Sequence, residues 1–134
     1  MKTTLPATIA AALLLAACAG TPTGDYGKPY GLLQTESKMP TDYVRPAWVA
    51  KIDGKDIVFG KNDPVEPGLH KVTVSLSGPP GSNNLATDTF DVDVKPCTRY
   101  FISSKRSTLQ SNDWKAFVSG SETIGECASR HGVK

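Results

Sequence analysis

Asp91 and Asp93 come nearest, by type and spacing, to a pair that could do chemistry. In an extended strand they project from one face about 6.5 Å apart, near the separation of the two carboxylates in inverting glycosidases. They alternate, however, with Phe90, Val92 and Val94, which need a core, so both acids are expected on a solvated face. Asp53, Asp56 and Asp63 lack the D-x-D-x-D-G spacing of a calcium loop, and turn chemistry accounts for them. His70 falls in register with Val72 and Val74 and is expected as a partly buried, hydrogen-bonded histidine, not a general base. Ser103, Ser104, Ser107, Ser111, Ser119 and Ser121 have no G-x-S-x-G context and no matched His and Asp. Cys97 and Cys127, with His70 or His131, show no zinc-ligand spacing. No catalytic residue, metal or cofactor is therefore expected, and the chain is not expected to be an enzyme.

The aromatic residues carry more weight. Trp48, Tyr100, Phe101, Trp114 and Phe117 are expected mainly to fill a core. A small β-domain can leave one or two aromatics exposed as a stacking platform or interface anchor. The candidate binding surface is Arg99 and Tyr100, beside Cys97, together with Trp114 and Trp48.

The amino terminus reads as an export signal. Met1 and Lys2 give a short positive start, and residues 7–17 form an uncharged run of Ala, Leu and Ile with only Thr8 polar. That is the length of a signal core and short of the ~20 apolar residues of a membrane-spanning helix. Leu15-Ala16-Ala17-Cys18 resembles the lipobox of bacterial lipoproteins, in which small residues flank the cleaved bond and the cysteine sulfur takes up diacylglycerol. The resemblance implies cleavage before Cys18 and several acyl chains on it, and two or more chains anchor stably where one does not. Ala19, in place of Asp, is similar to the pattern of outer-membrane lipoproteins, so the expected location is the cell envelope, facing the periplasm.

Removing residues 1–17 from the 134 leaves 117, enough for one small domain and a tail. Charge is nearly balanced, with 15 basic against 13 acidic residues in the whole chain. The basic residues are scattered, so neither a nucleic-acid stripe nor a polybasic membrane patch is expected. With Cys18 lipidated, Cys97 and Cys127 remain in an oxidising compartment, and a disulfide between them is expected. Closing 30 positions contributes about 3.6 kcal/mol on the loop-entropy model.

Residues 19–43, rich in Gly and Pro, read as a tether or loosely docked arm onto which Tyr26, Tyr30 and Tyr43 could pack. From Val44 the apolar period is two. Trp48, Ala50 and Ile52 are expected on one strand face, before an Asp53-Gly54 hairpin turn and a return over 56–59. Glu66-Pro67-Gly68 is a second turn. His70, Val72, Val74 and Leu76 share the next face, and residues 78–84 form a Pro-Gly-Asn loop. Strands follow over 89–94 and 98–103, then one over 113–119 with Trp114, Ala116 and Val118 on one side. A short final strand is expected over 124–127, with a polar tail at 129–134. The domains expected are a signal peptide at 1–17, a lipidated tether at 18–43 and a β-sandwich at 44–128. Six or seven short strands between Gly/Pro turns predict an all-β, antiparallel sandwich.

Val49-Ala50-Lys51-Ile52-Asp53-Gly54-Lys55, followed by Pro67-Gly68-Leu69-His70-Lys71-Val72-Thr73-Val74, is similar to the PEGA-type module. Residues 90–127, with Lys95-Pro96-Cys97-Thr98-Arg99-Tyr100, resemble small proteobacterial lipoproteins of unassigned function. These resemblances imply an immunoglobulin-like or prealbumin-like sandwich used as a surface or binding module. With the anchor, the tether and no catalytic constellation, the expected role is a module that binds an envelope protein or cell-wall glycan. The alternative is a periplasmic inhibitor of lysozyme or a protease, working through the 78–84 loop. Ser77-Gly78-Pro79-Pro80-Gly81 departs from the Ser-Gly-x-x-Tyr pattern of lysozyme-inhibitor lipoproteins in lacking the tyrosine.

Overall fold

Asp53 and Gly54 both take positive φ, 50° and 79°, the geometry of a tight hairpin whose twist matches its strands. In the computed structural model, which describes residues 24–38, 41–58, 61–76 and 86–134, this turn joins two members of one sheet. Cys18 with the signal segment, Phe59 and the 78–84 loop lie outside the described residues.

The strands in chain order are β1 (Leu32–Thr35), β2 (Val44–Pro46), β3 (Trp48–Ile52), β4 (Lys55–Asp56), β5 (Gly68–Ser75), β6 (Thr87–Val94), β7 (Thr98–Lys105) and β8 (Lys115–Thr123), followed by helix α1 (Gly125–His131). One sheet runs β4-β3-β5-β6 and is antiparallel throughout. In the other, β7 is central. β8 pairs antiparallel along its whole length, so β1 and β2 must share its second edge. β1 runs parallel to β7 opposite Arg99–Ile102, and β2 returns antiparallel opposite Ser103–Lys105. The protein is a small all-β sandwich with a Cys97–Cys127 disulfide, as expected. The one parallel pairing, β1 with β7, departs from the expected antiparallel pattern.

The inner faces meet through Val49, Val72, Val74, Val92 and Ile102, all buried. The face read for residues 48–52 is corrected by a bulge. Val49 lies opposite Val74 and Lys51 opposite Thr73, leaving Ala50 as an extra residue. An extra residue reverses the alternation, so Val49 and Ile52 point inward and Trp48 is left half-exposed. A second bulge in β8, at Ser119, falls beside Val118, which is 37% exposed where a core position was expected.

A smaller core lies on the other side of β1. Tyr30, Leu32, Cys97, Ile124 and Cys127 form it, with Ala128 and Val133 packed against them. Residues 125–131 are helical where a short strand and a polar tail were expected. The helix carries Glu126 in its first turn and Arg130 and His131 in its last, favourable to its dipole, and ends on Gly132 in the left-handed conformation. About two turns are too few for a visible apolar stripe, and the disulfide holds the helix in place.

The segment expected to be a tether is thus structured from about residue 24. Tyr30 and Leu32 face the small core while Leu33 faces the main one, so β1 is covered on both sides. Gly31 makes the close approach possible: a Cβ there would stand 2.2 Å from Val94 Cγ1.

Candidate functional site

A parallel strand directs alternate backbone groups to opposite edges. Gly31 exchanges both backbone hydrogen bonds with Val65, at 2.8 and 2.9 Å, so its polar groups point away from β7. Glu36 N–H donates to Ile102 O at 3.0 Å, and Cys97 N–H donates to Tyr30 O at 2.7 Å, so even-numbered positions point toward β7. Leu33 and Thr35 therefore turn their N–H and C=O groups outward, the same way as Gly31. Among the described residues β1 pairs only with β7, and no other backbone hydrogen bond reaches Leu33 or Thr35.

A groove of about 330 Å³ opens along this edge. Buried Leu33 and Val49 lie at its base, half-buried Trp48 and exposed Val58 beside them, and Gln34 and Asn62 supply polar side chains. Lys61 contributes one positive charge. The groove thus combines a strand edge unpaired among the described residues, an aromatic wall and polar rim groups, the parts needed to hold an extended chain.

Of the four residues expected as a binding surface, the structure turns two, Tyr100 and Trp114, into the core. Trp48 lines the groove on β3. Arg99, on β7, is engaged by Glu122 directly opposite on β8, with Nη1 2.5 Å from Oε1. Tyr100 is 8% exposed, and its hydroxyl accepts from Lys95 N–H at 2.9 Å while donating to Asp93 O at 3.1 Å. Trp114 is 9% exposed and belongs to the main core. Tyr100, on the face of β7 that meets the other sheet, and Trp114, just before β8, are both held inward in the main core.

No family model, curated protein or solved structure matches the chain.

The remaining candidates sit where turn and face chemistry put them. Asp91 and Asp93 are exposed and bonded to Lys71 Nζ at 3.1 Å and Lys95 Nζ at 2.9 Å. His70 Nδ1 lies 2.7 Å from Asp53 Oδ2, and its Nε2 lies 2.7 Å from Glu66 O. Asp53 also accepts from Lys71 N–H at 2.9 Å, so His70 and Asp53 tie the hairpin turn to β5. Burial pushes the Asp53 carboxyl up, but the His70 and Lys71 hydrogen bonds and the charges of His70 and Lys55 outweigh it and hold it below its ordinary value. Among the described residues no group of three or more His, Cys, Asp or Glu is placed to hold a metal ion. Among them, too, no helix is long and apolar enough to cross a membrane.

The sequence reading missed the edge of β1 because Leu32 and Leu33 sit in a Gly/Pro-rich stretch. The apolar run Tyr30-Gly31-Leu32-Leu33 was the signal for a strand buried on both faces.

Proposed function

We propose that this chain is a cell-envelope lipoprotein, anchored through Cys18, that binds an extended segment of an envelope protein and catalyses nothing. The observation that carries the reading is the edge of β1 at Leu33 and Thr35, which no other described strand pairs and which opens into the groove beside Trp48. An added strand would exchange main-chain hydrogen bonds with those two residues and seat alternate side chains against Trp48 and Val58. The lipobox-like Leu15-Ala16-Ala17-Cys18 supports the anchor, and the PEGA-like stretch at 49–74 supports a binding module.

A photo-crosslinking residue at position 58, in intact envelopes, is the direct test. The expected outcome is a reproducible protein adduct that is lost on Thr35→Pro, which removes an edge donor, and weakened on Trp48→Ala. Adducts confined to cell-wall glycan, or protein adducts indifferent to both changes, would overturn the protein-binding reading. The anchor is checked separately by metabolic labelling with a fatty-acid analogue, which Cys18→Ser is expected to abolish.

A further inference from the structure

Arg45 lies on β2 opposite Ser104, and Arg106 follows β7 two residues beyond Ser104, so the two guanidinium groups are delivered to one end of the sandwich. Both meet the same ring. The Arg45 Cζ is 3.7 Å and the Arg106 Cζ 5.0 Å from the centre of the Trp114 indole. Arg106 is held by its Nε donating to Asp42 O at 3.0 Å and by its N–H donating to Tyr43 O at 3.0 Å.

Two cations are thereby held together without a counter-charge. All 13 acidic residues of the chain lie among the described residues. The ion pairs they form engage Lys51, His70, Lys71, Lys95, Arg99, Lys115 and Arg130, and neither Arg45 nor Arg106 takes part in one. Burial, and then the neighbouring Arg106, hold the Arg45 guanidinium below its usual value. The Arg45 Nε is buried and has no hydrogen-bond acceptor. An indole face attracts each cation but neutralises neither. The like-charge pair has no carboxylate opposite it, and a core aromatic fixes it in place.

We propose that Arg45 and Arg106, set on Trp114, form a binding site for a phosphate group. Two planar guanidinium forks present more donors than one carboxylate can accept, whereas the oxygens of a phosphate can be shared between them. The site lies apart from the β1 groove: none of its three residues lines that groove. It stands whether or not the groove binds a peptide. The phosphate can be that of a soluble ligand or of a lipid headgroup.

The test uses the full chain with its arginines labelled by 15N and inorganic phosphate as the probe. The Nε resonances of Arg45 and Arg106 are expected to shift together and saturate at one phosphate concentration, with chloride at equal ionic strength moving neither. Arg106→Gln is expected to weaken phosphate binding about tenfold or more, as loss of a charge-assisted hydrogen bond does. Arg106→Lys, which keeps the charge but loses the fork, should fall between. Sedimentation with phosphatidylglycerol vesicles, compared with phosphatidylcholine vesicles, names the source. Binding lost on Arg106→Gln assigns a lipid headgroup, and absence of vesicle binding alongside the phosphate shifts assigns a soluble ligand. Unmoved resonances in the wild-type chain, or equal phosphate affinity in Arg106→Gln, would overturn the proposal.

Discussion

Asp113 shows how far local hydrogen bonding alone can bias a carboxylate. It accepts from the Ser111 hydroxyl, from the Ser107 hydroxyl at 2.7 Å and from the Ser107 N–H at 3.2 Å, and these bonds lower its carboxyl to about 2 from 3.8. Because the folded value lies below the ordinary one, the bonds stabilise the 107–113 loop fully above the ordinary value. That contribution is lost as pH falls through about 2. Carboxyl NMR should find the midpoint there, and Ser111→Ala should move it upward. Asp53 follows the same sign, since its folded value is also depressed. Its contribution is present above the ordinary carboxylate range and lost on acidification through the lowered value, and His70→Ala should raise its titration midpoint. Tyr100 differs in being buried. Tyr100→Phe removes the acceptor for Lys95 N–H and the donor to Asp93 O, and should cost about 1 kcal/mol in chemical denaturation. The hydrogen-bonded His70 and the solvated Asp91 and Asp93 were legible in sequence because strand alternation decides them. Sequence leaves undecided whether Tyr100 fills the core or anchors a surface, because alternation tells two faces apart without saying which is closed over by a second sheet.

At the scale of elements, β1 depends on one glycine. Gly31→Ala would place a methyl group against the buried Val94 and near Thr98 O, forcing β1 away from the start of β7. A loss of about 1–3 kcal/mol is expected by thermal or urea unfolding, the usual cost of overpacking a filled site. If unfolding were unchanged, β1 would not be docked as described. The strands that alternate regularly, β5 and β6, were readable from their residues with their inward faces. Strands were also legible over β3 and β8 but their bulged inward faces were not, and β1 reads in sequence as tether. A bulge shifts one residue without leaving a composition signal, and a four-residue strand covered on both faces has no polar side to mark its period. Helix α1 escaped notice for a related reason: most of its hold on the protein comes from Cys127, not from an apolar stripe.

For the molecule as a whole, the disulfide joins the turn before β7 to α1 and seals the small core over β1. Reduction is expected to lower stability by about 3–4 kcal/mol, the loop-entropy value for 30 residues. It should also expose Tyr30 and Leu32, which amide exchange at those residues would report. The sequence by itself determined the all-β class, the turn at Asp53-Gly54 and the pairing of Cys97 with Cys127. These follow from local backbone preference, side-chain alternation and residue arithmetic. Only the tertiary structure decided that β1 and β2 share one edge of β7, that Leu33 and Thr35 face an open groove, and that Arg45 and Arg106 meet over Trp114. Each of those depends on contacts between segments far apart in the chain, where strand register, not residue type, chooses the neighbour.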